Sequence, residues 1–318
     1  MILAAGLGTR LRPLSEELPK PVVPVLGRPL CGWTMEFLFR AGVARFLLNL
    51  HHHPRLVRQE VEAWAGRKIP VEYTVEPVIL GTGGGIRNAA TFLGGGTFVT
   101  ANGDAIVRFS FARALAFHRE RRAIATLVLF PDPLRRYTPV RIDGTGRIVG
   151  FGGEPAPGER TGFYTGVQIV EPQLLASIPE GASCIVRDTL APLAAKGEPL
   201  FGFLTAGVFR EFGTPADYLR ETLAVLAEQA AAGTLPRPPA RGAVFREPVF
   251  VSPRARISPG AVVGPRAVVE GGAAVGEEAV VTESILWPGA SVPPKTVVQH
   301  AVVTRKRIVA VPHGAAAP

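Results

Sequence analysis

Apolar residues recur along this chain in short runs separated by helix-length stretches, beginning with Ile2 to Ala5, a run that stops at Gly6-Leu7-Gly8-Thr9-Arg10. An apolar run closed by glycines predicts a buried strand entering a tight turn. Leu30, Trp33, Phe37, Leu38 and Ala41 then share one helical face and predict a helix over 30–41. Further strands are predicted over 44–50, 71–75, 97–102, 123–130 and 163–170, and a hairpin over 140–149. Helices are predicted over 56–65, 111–121 and 189–195. Another follows Gly213, with Thr214 as its N-cap and Pro215 as its first residue. The cluster Gly81, Gly83, Gly84 and Gly85 reads as a loop feeding a helix near Ile86. Strands alternating with helices of this length imply an α/β fold, a Rossmann-like doubly wound, mostly parallel sheet. Such a sheet binds ligands beyond the carboxyl ends of its strands.

The pattern changes after residue 229. Residues 230–248 are rich in alanine, proline and arginine without an apolar period, and read as a linker. From Val251 an aliphatic residue leads every block of six: Ile257, Val263, Val269, Val275 and Val281 follow, with alanine at the fifth place of five consecutive blocks. Six residues per flat side, aliphatic inward and small at the corner, predict a short left-handed parallel β-helix over 249–305, followed by a tail over 306–318. About three coils fit this span. A solenoid this short needs its flat side covered by the first domain, residues 1–229, or by a second copy of the chain, so a homo-oligomer is expected.

Composition sharpens this picture only modestly. At 318 residues and 47% hydrophobic content the chain suits one large α/β domain plus a smaller unit. No apolar run approaches the roughly 20 residues of a membrane span, and no signal peptide is visible, so a cytoplasmic protein is expected. Cys31 and Cys184 are too few for a disulfide framework and lack metal-ligand spacing. The formal charge of +9 comes from scattered arginines rather than a basic stripe, which favours small polyanionic substrates over nucleic acid. The consecutive His51, His52 and His53 read as a strand-end loop, because three successive side chains cannot all face one ion from regular structure.

The candidate chemistry lies at the predicted strand ends. Glycines at 6 and 8 let backbone N–H groups approach an anion, and Arg10 and Arg12 add forks suited to phosphate oxygens. Lys20, between Pro19 and Pro21, puts one ammonium on a stiff extended segment. The turn is neither a Walker loop nor a dinucleotide fingerprint, since neither spacing is present. The strand ending in Asn102-Gly103-Asp104 carries a carboxylate to the sheet edge, a hard oxygen suited to Mg²⁺, although position alone suits Asp104 equally to capping the next element.

Leu3 to Leu14 and Pro19 to Pro21 closely resemble the opening L-A-A-G-x-G-T-R-L-x-P-L…P-K-P of the sugar-1-phosphate nucleotidylyltransferases, which join a nucleoside triphosphate to a sugar 1-phosphate and release pyrophosphate. The resemblance implies nucleotide contacts from Ala4, Ala5, Gly6, Gly8, Thr9, Arg10, Gly81, Thr82 and Gly103. It implies sugar contacts from Gly84, Tyr164, Thr165 and Gly166, and catalytic roles for Arg10, Lys20 and Asp104. Its metal would be Mg²⁺ on Asp104 and on Glu211, the latter standing where the family usually has aspartate in D-x-G-T-P. Members usually carry two or three residues before the first strand, so a start upstream of Met1 is expected. A second departure lies at Gly152-Gly153-Glu154-Pro155, where many members have E-K-P with the lysine on the sugar phosphate; Arg160 and Arg187 are the nearest replacements.

The two-domain plan resembles mannose-1-phosphate guanylyltransferases. The Thr82–Ile86 stretch and the absent lysine resemble uridylyltransferases acting on N-acetylmuramate 1-phosphate, and glucose 1-phosphate is a further candidate. Two readings compete from other classes. One is a catalytically silent homologue that binds nucleotide sugar and regulates a partner. The other is acyl transfer by the β-helix, for which three coils are few.

Overall fold

The computed structural model describes residues 1–238 and 242–312, which form two compact units. The first gathers Met1–Leu7 with Cys31–Arg210, and the second gathers Gly8–Leu30 with the chain from Glu211 onward. The segment bearing Arg10 and Lys20 therefore groups with the C-terminal part of the chain, which the linear order of motifs does not suggest.

A nine-stranded sheet organises the first unit. Ile2–Leu3 lies between Phe46–Leu50 and Phe98–Asn102, parallel to both, and Val71–Val75 extends the parallel order beyond Phe46–Leu50. The chain leaves Ile2–Leu3 for one neighbour and returns later to the other, so the strand order reverses at this first strand. The long strand Arg160–Val170 runs antiparallel to Phe98–Asn102, to Ala125–Phe130 and to Pro139–Ile142. Pro139–Ile142 and Ile148–Phe151 form the expected hairpin, and Leu200–Leu204 runs parallel to Ala125–Phe130. The helix Pro54–Ala65 buries Val57, Val61 and Ala65, and Phe111–Glu120 buries Phe111, Ala114 and His118, both at helical spacing. The one polar member, His118, is satisfied between the Thr126 hydroxyl at 2.9 Å and the Glu171 carboxylate at 3.0 Å.

Three local expectations change. The glycine cluster is itself helical, over Gly81–Asn88, rather than a loop before Ile86. Asp104 caps no helix; a further strand, Ala105–Arg108, follows it. The helix expected over 189–195 begins earlier, as a π-turn over Ile185–Leu190 that runs into Ala191–Ala195.

The second unit is built on a parallel β-helix of three sheets. Its first strand, Val244–Phe245, lies within the span read as linker, and residues 239–241 of that span lie outside the described residues. Val251, Val263, Val269, Val275 and Val281 point into the coil with Ala261, Ala267, Ala273 and Ala279, as the six-residue pattern requires. The phase then slips. Val262 pairs with Val280, but Val280 pairs with Val297, so the last coil is one residue shorter, and the interior place after Val281 falls to Leu286. Glu283 takes the left-handed conformation at that corner, at φ 45°. The buried Ser284 hydroxyl donates to the Thr282 carbonyl at 2.6 Å and accepts from the Ala301 N–H at 3.1 Å, which satisfies the shortened turn. Ile308–Ala310 turns back antiparallel on Ala301–Val303 and covers that sheet's edge, within the span read as tail; residues 313–318 lie outside the described residues.

One face of the coil is covered from within the chain. Its outward residues Phe250, Val268, Ile285 and Val302 are all buried, and the helix Pro215–Ala231 packs against the strands that carry Phe250, Val268 and Val302. That helix starts as expected, with a capping box between Thr214 and Asp217 worth about 1 kcal/mol. Tyr218, fully buried, donates its hydroxyl to the Pro24 carbonyl and accepts from Trp287 Nε1 at 2.8 Å. Burial and the nearby Glu270 carboxylate hold this phenol well above its ordinary pKa range, so it remains a donor.

Glu270 is an acid buried on this face. Both of its carboxylate oxygens lie 3.0 Å from the Gly27 N–H, and burial raises its pKa to about 7. The folded protein therefore retains a proton that the unfolded chain gives up near pH 4.5. Stability from this group is full below pH 4.5 and is lost as pH rises through 7. Urea titrations between pH 4.5 and 8 should show wild type losing roughly 3 kcal/mol more than Glu270→Gln across that window. Parallel curves for the two proteins would contradict the buried-acid assignment.

Candidate active site

In the first unit the site forms where the carboxyl ends of four parallel strands meet. The Ala4 N–H, just past Ile2–Leu3, donates to Asn49 Oδ1 at 2.9 Å. Asn49 Nδ2 donates to Glu76 Oε1 at 2.7 Å, and Glu76 Oε2 accepts from the Leu80 N–H at 3.0 Å. Asn49 and Glu76 are both buried. One relay thus ties the start of the glycine turn to the entry of the Gly81–Asn88 helix. Gly85 has to be glycine here, since a Cβ would meet Asn49 Nδ2 and Glu76 Oε1 at 2.8 Å.

The other glycines of that helix serve packing. A Cβ on Gly81 would lie 2.6 Å from the Ser183 carbonyl, and one on Gly84 would strike the Gly181 carbonyl. The Gly83 N–H donates to the Ser183 carbonyl at 2.8 Å, and the Thr82 hydroxyl accepts from the Ile185 N–H at 2.9 Å. The close approach these residues permit is thus made, in part, by the 181–185 segment.

Next to the first strand, the Gly103 N–H donates to the Leu3 carbonyl at 2.9 Å, fixing the turn that carries Asp104. The Tyr164-Thr165-Gly166 stretch interrupts the ladder between Arg160–Val170 and Ala125–Phe130. Gly166 adopts φ 80° there, with Asn102 so close that a Cβ would meet its Nδ2 at 2.5 Å. Thr165 spends its hydroxyl on the Val128 carbonyl at 2.9 Å, and burial holds the Tyr164 phenol above its ordinary pKa range. The structure thus brings Ala4, Gly103 and Gly166 to one edge of the sheet.

A cavity of about 290 Å³ opens beside the hairpin, lined among others by Asp132, Arg135, Tyr137, Glu154, Thr161 and Phe163. Tyr137 stacks on Phe163 with ring centroids 4.5 Å apart. Arg135 pairs with Glu154 at 2.7 Å. The two replacements expected for the missing lysine do not line it. Arg187 is held by its neighbour Asp188 at 2.7 Å, and Arg160 stands exposed at the start of its strand.

The second unit holds the cationic residues. Gly8, at φ 61°, lies directly over Lys20, whose Cβ would be 3.0 Å from a Cβ at position 8. Lys20 is only 6% exposed. Arg10 extends into solvent and pairs with Glu211 at 3.0 Å, and a Cβ on Gly213 would meet its Nη1 at 3.3 Å. The glycine turn, the proline-flanked lysine and the Glu211–Gly213 stretch are therefore neighbours, although about 200 residues separate the first from the last.

Carboxylates at 104 and 211 are hard oxygen donors of the kind Mg²⁺ prefers. Among the described residues no group of three or more His, Cys, Asp or Glu side chains gathers into a closed metal cage. Taken singly, each carboxylate is a donor of the kind used by an ion that completes its shell with phosphate and water. No helix among the described residues is long and apolar enough to cross a membrane.

A mostly parallel α/β sheet with a glycine turn after its first strand in one unit, and a parallel β-helix in the other, define a two-part α/β protein. The nucleotidyl transferase family model matches residues 1–228, and a GMPPB C-terminal domain model matches residues 245–311. The chain belongs to this family and is a nucleotidyltransferase-family enzyme. It is 32% identical to the mannose-1-phosphate guanylyltransferase of Mycobacterium tuberculosis, over 83% of this chain and 72% of that protein. It is 31% identical to a UTP–glucose-1-phosphate uridylyltransferase of Synechocystis, over 72% of this chain and 63% of that protein. A mannose-1-phosphate guanyltransferase of Yarrowia lipolytica is 30% identical over 70% of this chain and 62% of its own length. Among solved structures, HddC from Yersinia pseudotuberculosis, also solved in complex with GMP-PN, aligns with a TM-score of 0.60 at 25% identity. That alignment covers 70% of this chain and 97% of HddC.

Sequence reasoning missed Asn49, Glu76 and Arg135. Glu76 directly follows a predicted strand and Asn49 sits inside another, which is the only signal either offers. Asn49→Leu should deprive the Ala4 N–H and Glu76 Oε1 of their Asn49 partner and cost about 2–4 kcal/mol in urea unfolding. A loss under about 0.5 kcal/mol would show that the relay does not hold the turn.

Proposed function

We propose that the chain transfers a guanylyl group from GTP to mannose 1-phosphate, releasing pyrophosphate. The observation that carries the reaction class is the packing of Lys20 beneath Gly8, with Arg10 beside Gly213, which sets two cations on one phosphate-binding turn. The guanine assignment is supported by the mannose-1-phosphate guanylyltransferase relatives and by the complex of HddC with GMP-PN. The uridylyltransferase relative supports the alternative with UTP and glucose 1-phosphate.

The nucleophile is a phosphate oxygen of the sugar 1-phosphate, mostly ionised near neutral pH because its second pKa is about 6. No general base is needed. What the protein supplies is alignment of two polyanions and positive charge where charge develops. The N–H groups of the Gly6–Thr9 turn receive the triphosphate, and Arg10 stabilises the departing pyrophosphate. Lys20 bridges the attacked α-phosphate and the incoming sugar phosphate. Mg²⁺, when held by Asp104 and Glu211, would neutralise the α-phosphate. Glu211 pairs with Arg10, and an ion held by that carboxylate would leave the Arg10 guanidinium available to phosphate.

The cavity beside the hairpin takes the sugar, with the Tyr137–Phe163 stack offering an apolar wall to a hexose face. Arg135 stands in for the missing lysine, Glu154 holding it until substrate phosphate competes.

Pyrophosphate release should be fastest with GTP and mannose 1-phosphate, among the common triphosphates paired with mannose, glucose and N-acetylmuramate 1-phosphates. Preference for UTP would transfer the assignment to the uridylyl alternative, and no release from any pair would leave only a silent homologue. Lys20→Ala and Asp104→Ala should each lower kcat/KM by about 10³ or more while circular dichroism stays unchanged. Near-normal turnover in either variant removes that residue from the mechanism.

A further inference from the structure

Lys20 sits in a stretch that has little structure of its own. Around it are three short 3-10 turns and one two-residue hairpin, Pro24–Val25 with Arg28–Pro29. Nothing in that local structure is long enough to set an ammonium group within a fraction of an ångström. Yet Lys20 is buried, and so are Pro21, Val22 and Val23 after it.

The fixing comes from the β-helix, on both sides of the lysine. Three residues before Lys20, Glu17 reaches the last turn of the coil. Its carboxylate, only 8% exposed, accepts from the Thr304 hydroxyl at 2.7 Å and faces Arg307 Nε at 3.3 Å. Its neighbour Glu16 meets Arg307 Nη1 at 3.3 Å. After Lys20, the hairpin tip is seized by Glu270, which takes the Gly27 N–H on both oxygens. Gly27 lies so close to Phe250 that a Cβ would stand 3.1 Å from its ring. Between these two holds, Tyr218 fastens the Pro24 carbonyl, braced by Trp287 from the coil. Two carboxylates, one contributed by the lysine segment and one by the coil, thus cross the junction in opposite directions.

We propose that Glu17 and Glu270 are positioning residues for Lys20, so that the β-helix serves as the seat of the lysine segment and takes part in phosphate transfer through it. This rests on the reading of Lys20 as a phosphate contact. Neither carboxylate meets substrate in this scheme; each holds backbone whose displacement would carry the ammonium away from the α-phosphate. The coil needs no ligand site of its own to affect turnover.

Two measurements on the full-length protein test this. In the first, Lys20 acylation by a small amine-reactive ester is followed by mass spectrometry and normalised to the exposed Lys68. Glu17→Leu and Glu270→Leu should each speed Lys20 labelling at least about fivefold, and Glu17→Gln, which still accepts from Thr304, should label near the wild-type rate. In the second, Glu17→Leu should lower kcat about tenfold with KM for the triphosphate within about twofold, and cause no further loss in a Lys20→Ala background. If Glu17→Leu does not fold, Arg307→Ala at the partly exposed side of the same contact replaces it. Unchanged Lys20 labelling in both leucine variants overturns the inference, as does an equal fold-loss of kcat with and without Lys20. Should Lys20→Ala itself retain full turnover, the catalytic reading fails, while the labelling experiment still decides whether the coil holds the lysine.

Discussion

The first unit depends on one buried hydrogen-bonded relay, from the Ala4 N–H through Asn49 to Glu76 and the Leu80 N–H. A glycine turn that is to keep its N–H groups open, as the proposed phosphate contact requires, must be held from its flanks. Asn49 supplies that hold from the neighbouring strand, and Glu76 extends it to the next. Each group in the relay has a partner at 3.0 Å or less, which makes burial of a carboxylate and an amide tolerable. The Gly81–Asn88 helix can then start flush against the relay because Gly85 has no side chain to displace it.

Glycine has several physical uses in this chain. Gly8 and Gly166 occupy left-handed backbone, where a side chain would be strained, and each lies against a neighbouring side chain, Lys20 and Asn102 respectively. Gly83 and Gly84, and Gly81, which is also left-handed at φ 68°, let the helix approach the 181–185 backbone closely enough that a Cβ on any of them would meet it. A glycine-rich stretch can therefore resemble a ligand loop and be, in part, a packing surface.

Burial at the coil follows the same economy of partners. Its interior is largely valine and alanine, but its covered outer face carries Glu270, which meets the Gly27 N–H, and Trp287, which donates to Tyr218 of the helix Pro215–Ala231. These polar holds specify which loop sits on the coil and in which register, a task apolar area alone does poorly. The shortened last coil shows a related compromise, with the Ser284 hydroxyl filling the hydrogen bonds that a missing residue would otherwise leave open.

Local pattern was enough for the α/β alternation, the hairpin near Gly144, the capped helix after Gly213 and the six-residue period of the coil, because each is set by residues within a few positions of one another. The glycine turn and the strand end at Asn102 were likewise legible as local structure, and the roles proposed for Lys20 and Asp104 rest on side chains at fixed spacing. Their surroundings were not. That residues 8–30 fold with the coil, that Glu17 meets Thr304 and Gly27 meets Glu270, and that Thr82 and Gly83 serve the 183–185 turn all depend on partners 100 to nearly 300 residues away. A hydrogen bond between such partners leaves no period and no spacing in the chain. Only the packed tertiary structure, by removing water from both groups, makes the pairing obligatory.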